Sequence, residues 1–309
     1  MINGSDPSWT QRTVIDSLTS LSRLQDFKLT LNTTLIHLDS PVPPLHLGRL
    51  SGLKKISITG RSVDYHYHII SGLAEAIAKS PRLVHLEVIN TSNIMNHPGD
   101  VIVSLHALLS KVPKGRPLQL TCLRLHRIYA HMDTFAIPNL RSLTCLDLGY
   151  IWEPELPAGY PTDLHEFSTM VTEIFAALNR EAIHLKHVII PYIDDAIIRY
   201  LSSFSGLETL EFWTHSSNTK DSNDMSYRFY TSALPKHVET LRVLTIRPQY
   251  EGGWCYNIPY ALVVLAQCTN LRSLAVAVSF KYTLDHLFWY GVGDSYDHKE
   301  KFCDMVSSD

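Results

Sequence analysis

The hexapeptide LTCLRL at residues 120–125 returns with a single change as LTCLDL at residues 143–148. A shorter phrase, NLRSL, also occurs twice, at residues 139–143 and 270–274. Self-similarity of this kind is the signature of arrays built from one supersecondary unit, and it constrains the fold more strongly than composition does. The repeated hexapeptide therefore predicts an internal structural repeat.

The pattern common to both hexapeptides is Leu-x-x-Leu-x-Leu, with a large aliphatic residue or Phe allowed at the last two positions. It occurs nine times, and successive first leucines are separated by 22 to 42 residues. The nine triplets are Leu24-Phe27-Leu29, Leu53-Ile56-Ile58, Leu83-Leu86-Val88, Leu120-Leu123-Leu125, Leu143-Leu146-Leu148, Leu185-Val188-Ile190, Leu207-Leu210-Phe212, Leu241-Leu244-Ile246 and Leu271-Leu274-Val276. Apolar residues at alternating positions predict a half-buried strand at each place.

Helical patterns lie between these strands. Several triplets follow phrases that end a helix, such as SGL at 51–53 and 205–207 and SPRL at 80–83. Apolar residues recur at helical spacing upstream, in residues 70–77, 102–109, 167–178, 194–204 and 260–268. Each unit is thus predicted to run strand, loop, helix and turn.

A strand of alternating leucines with a helix, repeated about every 20–29 residues, is typical of leucine-rich repeats. The predicted fold is α/β: an open leucine-rich-repeat horseshoe of about nine irregular repeats, with a parallel sheet on its concave face and helices on its convex face. The alternative is a (β/α) barrel, whose enclosed strands would read as near-continuous apolar runs. Polar residues between the leucines, such as Glu87, Arg124 and Asp147, favour the open sheet, because burying them in a barrel would be costly.

The predicted repeat array leaves a segment at each end. We expect an N-terminal segment with a capping helix in residues 1–23, the solenoid in residues 24–280, and a C-terminal cap or tail in residues 281–309. The tail interrupts the repeat pattern. A cap is needed because an exposed terminal repeat would leave apolar core in water.

Composition limits the classes of partner. The net charge of −3 gives no electrostatic case for a nucleic-acid partner. No apolar run approaches the ~18 residues of a membrane-spanning helix, and no basic segment followed by an apolar core opens the sequence. We therefore expect a cytoplasmic or nuclear protein with no membrane partner and with reduced cysteines.

The phrases SPRLVHLEV (80–88), SGLETLEF (205–212) and TNLRSLAV (269–276) resemble the leucine-rich-repeat region of fungal F-box proteins, over about residues 10–280. In that family the repeats hold a target protein, while an N-terminal F-box docks onto the adaptor of a cullin-RING ubiquitin ligase. The resemblance implies a substrate-recognition module. Residues 1–23 lack the LPxE-like start of an F-box, so the adaptor is expected as a partner only if an F-box lies upstream. A structural repeat protein with no link to ubiquitin remains an alternative.

Motifs for chemistry are not found. The sequence has no GxSxG, GxGxxG or Walker loop, and the closest histidine pairs, in DYHYH (64–68) and IHLKH (183–187), lack the spacing of a zinc-protease helix. Cys122 and Cys145 occupy equivalent positions of the repeat and are expected on neighbouring strands, either as small filler or as a reactive pair. We expect no enzyme, no cofactor and no metal; an enzyme that uses a His- or Cys-bearing face is the less favoured alternative.

The predicted partner site follows from the strand periodicity. If the leucines point inward, the residues beside them face the concave surface. Three inserted segments, 149–163, 213–224 and 247–257, follow strands and hold three of the five tryptophans, so we expect an aromatic rim, with loop-pinning as the alternative role. The predicted partner-binding residues of the concave face and rim are Arg124, His126, Asp147, Tyr150, Trp152, His187, Glu211, Trp213, Arg247, Tyr250 and Trp254.

Overall fold

A nine-stranded parallel sheet, with its strands in the same order as in the chain, organises the protein. The structure is a computed structural model, and it describes residues 8–21, 23–31, 46–60, 67–91, 104–149, 164–214, 219–248, 252–256 and 258–278. The strands are β1 (Asp26–Leu31), β2 (Lys55–Gly60), β3 (His85–Asn90), β4 (Cys122–His126), β5 (Cys145–Asp147), β6 (His187–Ile190), β7 (Thr209–Thr214), β8 (Val243–Pro248) and β9 (Ser273–Val276). All nine predicted strands are confirmed.

Among the described residues, each strand pairs in parallel with its neighbours in sequence and with no other strand. Within the described ranges no pairing joins β9 to β1, so the sheet is open and the barrel alternative is wrong. The fold is therefore α/β with an open parallel sheet, which is compatible with a solenoid.

The repeated leucines form rows across the sheet. In the central row, every position from Phe27 of β1 to Leu244 of β8 is buried and in register with the next strand. The side chains of a strand alternate between the two faces, so the positions between the leucines lie on the opposite face. The last strand departs from the pattern: Leu274 is 43% exposed, because β9 ends the described sheet and has a neighbour on one side only.

Helices connect the strands. They are α1 (Ser8–Thr19), α2 (Tyr67–Ala78), α3 (Leu105–Leu109), α4 (Ile137–Leu140), α5 (Leu164–Arg180), α6 (Asp195–Ser202), α7 (Thr219–Arg228) and α8 (Pro259–Leu265). A π-helical turn at Phe229–Ala233 follows α7, and 3₁₀ turns lie at Leu47–Arg49 and Leu234–Lys236. None of the described helices is long and apolar enough to span a membrane.

The predicted helices at 70–77, 167–178, 194–204 and 260–268 are confirmed by α2, α5, α6 and α8. The one at 102–109 is confirmed in part, because α3 begins at Leu105. The prediction of a loop over 213–224 is wrong, since this segment ends β7 and begins α7. The side chains of these helices and of the leucine rows form one continuous core, as shown by the edge-on contact of the Phe212 ring of β7 with Phe229.

A buried polar side chain closes each of four units. In every case it accepts a hydrogen bond from the backbone N–H of a leucine that lies two to four residues before the strand of the same unit, because a buried N–H requires a partner. The four pairs are Leu53 with Ser80 Oγ (3.1 Å), Leu118 with Asn139 Oδ1 (2.8 Å), Leu185 with Tyr200 Oη (2.9 Å) and Leu207 with His237 Nδ1 (3.3 Å). We call Ser80, Asn139, Tyr200 and His237 the clamp residues. All four are at most 3% exposed, and their residue types differ from unit to unit.

Candidate interaction face

The face of the sheet opposite the leucine rows carries the residues that a partner would meet. These residues share the strand positions between the buried ones, and most are half-buried or exposed. We define the open face as Asp26, Lys28, Lys55, Ser57, His85, Glu87, Cys122, Arg124, His126, Cys145, Asp147, His187, Ile189, Thr209, Glu211, Trp213, Val243, Thr245 and Arg247.

An ion-pair network occupies the middle of the open face. The register places Glu87, Arg124 and Asp147 side by side on β3, β4 and β5. Arg124 lies between the two carboxylates, with one guanidinium nitrogen 3.4 Å from Glu87 Oε2 and its Nε 3.9 Å from Asp147 Oδ2. Its Nε is buried and makes no hydrogen bond among the described residues. The network fixes the guanidinium at the centre of the face.

Asp147 is held from two further sides. His126 Nε2 lies 2.9 Å from Asp147 Oδ1, and the same oxygen accepts a hydrogen bond of 2.8 Å from the N–H of Gly149. Gly149 adopts a φ of +69°, a conformation that residues with a Cβ rarely take. Asp147 is only 7% exposed as a result. Asp147 lies on the open face as predicted, and its carboxylate contacts Arg124 and His126; its contact with a partner stays a prediction.

Glu87 is anchored in a similar way. Ser57 Oγ donates a hydrogen bond of 2.5 Å to Glu87 Oε1, and His85 Nε2 lies 3.7 Å from Oε2. Burial works against the charged form of Glu87, but the Ser57 hydrogen bond and the Arg124 charge outweigh it and lower its pKa. Burial lowers the pKa of His85, which favours a neutral imidazole there. At the centre of the face, both carboxylates therefore have several partners, whereas Arg124 Nε has no hydrogen bond among the described residues.

Towards β7 and β8, the charged side chains of the open face are less engaged with one another. The Arg247 guanidinium stacks 5.4 Å above the centre of the Trp213 ring, a cation–π contact between neighbouring strands. Arg247 is exposed and Trp213 half-buried. Glu211 is half-buried, and within the described part of the chain no ion pair involves it. His187 contacts Thr209 Oγ1 at 3.0 Å. The part of the open face on β7 and β8 therefore offers the charges of Glu211 and Arg247 to a partner.

Trp254 is a core residue. It is 2% exposed, and its indole packs against the rings of Phe212, Phe229 and Tyr230. Its Nε1–H donates to Ser222 of α7 at 3.0 Å. The prediction that Trp254 belongs to an exposed rim is wrong, because α7 supplies a polar partner for the N–H while the apolar ring completes the core.

The other predicted rim residues, Tyr150, Trp152 and Tyr250, lie outside the described residues. Of the rest, the structure places Arg124, His126, His187, Glu211, Trp213 and Arg247 together on the open face, as predicted. The role of Ser57 as a hydrogen-bond donor to Glu87 was missed, since nothing in the sequence distinguishes it from a solvated serine. In the described ranges, no three His, Cys, Asp or Glu side chains are grouped so that they could hold a metal ion.

Comparison with known proteins does not assign the chain to a family. No protein-family model matches the chain, and no curated protein matches it either.

Proposed function

We propose that this chain is a non-enzymatic leucine-rich-repeat protein and that its open face binds a protein partner. The observation that carries the proposal is the register of mixed charges along that face, from Glu87 on β3 to Arg247 on β8. Helices fill the opposite side of the sheet, so the strands present these side chains as one continuous surface.

The size of the face suits such a partner. Nine strands about 4.8 Å apart extend over about 40 Å. With three outward positions per strand, the face provides about as many residues as the 20–30 that a protein contributes to a standard interface. A surface of this extent with fixed mixed charge favours orientation and selection of a folded protein.

The proposed contact region is the half from β4 to β8. Arg124 is already engaged by two carboxylates, whereas Glu211 and Arg247 keep charges that a partner of opposite charge pattern can meet. Trp213, braced by Arg247, is the proposed anchor, because Trp and Arg dominate interface hot spots. We expect Trp213→Ala to weaken binding by about 2 kcal/mol if the indole is fully desolvated in the complex.

The experiment compares two double variants as bait. Glu211→Lys with Arg247→Glu reverses the available charges of the face, while Arg116→Glu with Glu239→Lys reverses two exposed charges in turns away from it. Circular dichroism first establishes that both fold like the wild type. Proteins captured by wild type and control, but lost by the face variant, are then purified. Their Kd is measured, with at least a tenfold weakening expected for the face variant, or about 1.4 kcal/mol. Equal capture and equal Kd for all three baits would refute the proposed face.

The finer proposal is that the partner is a substrate of a ubiquitin ligase. It rests on the resemblance of SPRLVHLEV, SGLETLEF and TNLRSLAV to the repeats of fungal F-box proteins. Its test is co-precipitation of the cullin-RING adaptor with the full-length gene product expressed in its own cells. If proteins are captured through the open face but the adaptor is not co-precipitated, the chain is a binding protein unconnected with ubiquitin. Co-precipitation of the adaptor would support the ligase role.

A further inference from the structure

The two cysteines of the repeated hexapeptide form a pair on the open face. Cys122 of β4 and Cys145 of β5 are register partners, and both thiols are free and half-buried. Neighbouring strands lie about 4.8 Å apart, within the 4.4–6.8 Å that separates the Cα atoms of disulfide-bonded cysteines. A bond between the two sulfurs therefore requires no separation of the strands.

The charges around the pair favour one thiolate. The hydrogen bond from Cys122, aided by the charge of Arg124, lowers the pKa of Cys145 to about 7, against burial and the nearby Asp147 carboxylate. The same contact with Cys145, together with burial, raises the pKa of Cys122. At pH 7 about half of the molecules thus hold a thiolate on Cys145 beside a thiol on Cys122. A nucleophilic thiolate beside a resolving thiol is the arrangement of redox-sensitive cysteines.

The groups that surround the pair are all on the open face. His85 of β3 is the register partner of Cys122, and His187 of β6 is that of Cys145. Glu87 and Asp147 hold Arg124 between them. Burial lowers the pKa of His85, so Arg124 is the fixed positive charge next to the sulfurs. Two sulfur ligands fall short of the four that a structural zinc site needs, and this part of the described chain offers no third metal ligand.

We propose that Cys122 and Cys145 are an oxidation site, which a hydroperoxide such as hydrogen peroxide converts into a reversible disulfide between β4 and β5. The Cys145 thiol first releases its proton to the buffer. Its thiolate attacks one peroxide oxygen, the O–O bond breaks, and the departing hydroxide takes up a proton from the buffer to give water. Cys145 is then a sulfenic acid. The Cys122 sulfur attacks the Cys145 sulfur, the S–O bond breaks, and the hydroxide leaves with the Cys122 proton as water. Two thiols lose two electrons and one peroxide is reduced to two waters. The inference does not depend on the open face binding a partner.

The test treats the folded full chain with graded hydrogen peroxide and blocks remaining thiols with N-ethylmaleimide. Peptides are then analysed by mass spectrometry without reduction. We expect a crosslinked peptide pair containing Cys122 and Cys145, which dithiothreitol separates. In Cys122→Ser the reaction should stop at a sulfenic acid on Cys145 that dimedone traps. Cys268→Ser, which removes a lone buried thiol whose pKa is raised by burial, is the matched control and should oxidise like the wild type.

A second variant separates the Arg124 effect from simple proximity. Arg124→Gln should slow disulfide formation at pH 7 by roughly threefold or more and match the wild-type rate near pH 9, where the thiolate forms without help. Arg116→Gln, at an exposed site in a turn, is its control. The proposal is overturned if the folded protein gives no Cys122–Cys145 crosslink at peroxide doses that oxidise free glutathione. It is equally overturned if the crosslink forms only after denaturation, or if Cys145 is crosslinked mainly to another cysteine, such as Cys303 in the segment 281–309.

Discussion

The clamp residue His237 makes the stability of the protein depend on pH. Its imidazole is 1% exposed; Nδ1 accepts the hydrogen bond from Leu207 N–H, and Nε2 lies 2.9 Å from the carbonyl oxygen of Leu201, to which it donates. The bond from Leu207 requires Nδ1 without a proton and the bond to Leu201 requires a proton on Nε2, so only the neutral ring with its proton on Nε2 makes both. Burial lowers the pKa of His237 from the ordinary 6.5 to about 4, although the Leu201 hydrogen bond opposes this shift.

The sign of the effect follows from proton binding. Between pH 6.5 and about 4 the unfolded chain protonates this histidine while the folded chain does not, so the free energy of unfolding falls as the pH falls through this window. Each pKa unit corresponds to about 1.4 kcal/mol, so the interval between the two pKa values corresponds to roughly 3–4 kcal/mol. This contribution is fully present above pH 6.5 and is lost by about pH 4.

The assay is urea unfolding of wild type and His237→Gln at several pH values between 7.5 and 4.5. Carboxylates with lowered pKa, such as Glu87 and Asp133, also destabilise both proteins in acid, so the informative quantity is the difference between them. We expect wild type to be the more stable at pH 7.5 and its advantage to shrink by roughly 2–3 kcal/mol at pH 4.5. His184→Gln controls for the loss of an exposed imidazole. A difference that stays constant with pH would refute the reasoning.

Three substitutions test the packing of the array. Leu146→Asp replaces a fully buried side chain of the central row and should lower the free energy of unfolding by about 4 kcal/mol or more, because a cavity and a buried carboxylate both cost stability; an unchanged far-ultraviolet melting curve would contradict the register. Tyr200→Phe leaves the Leu185 N–H and the Ile183 carbonyl without their hydroxyl partner, and urea unfolding should show a loss of about 1–3 kcal/mol, against almost none for Tyr227→Phe, whose side chain is 55% exposed. Gly149→Ala forces a Cβ into the left-handed region and against the His126 ring, so differential scanning calorimetry should show a loss of about 1–2 kcal/mol or more; an unchanged Tm would contradict it.

The strands were predictable because their signal is local and repeated. A leucine at every second position decides which face of a strand is buried, and the same phrase in successive units decides which residues become neighbours. The pairing of Cys122 with Cys145 is the clearest case: the prediction from equivalent positions is confirmed by the register. The same alternation along each strand also predicts the open face and most of its charged residues.

The errors share a cause, which is stabilisation by contacts distant in sequence. Helix α7 is largely polar and lacks apolar periodicity, yet it is held by hydrogen bonds from Gly253 N–H to Asn223 and from the Trp254 indole to Ser222. Those bonds also draw Trp254 into the core. Asp147 was placed on the correct face, but its burial depends on His126 and Gly149, which no strand pattern reveals.

Because of the clamp residues, the resistance of the array to mechanical unfolding depends on the end from which the chain is pulled. Each accepts a hydrogen bond from an N–H that lies earlier in the chain, before the strand of its own unit. Pulling the chain apart from the described C-terminal end therefore removes an acceptor before it removes the donor that relies on it. Pulling from the other end removes the donor first. The penalty for a stranded buried N–H therefore arises in one direction of traction, unit after unit. An unfolding motor that pulls the polypeptide from its C-terminal side would meet a separate resistance at each clamp residue. The force needed at each one depends on its side chain, which is serine, asparagine, tyrosine or histidine.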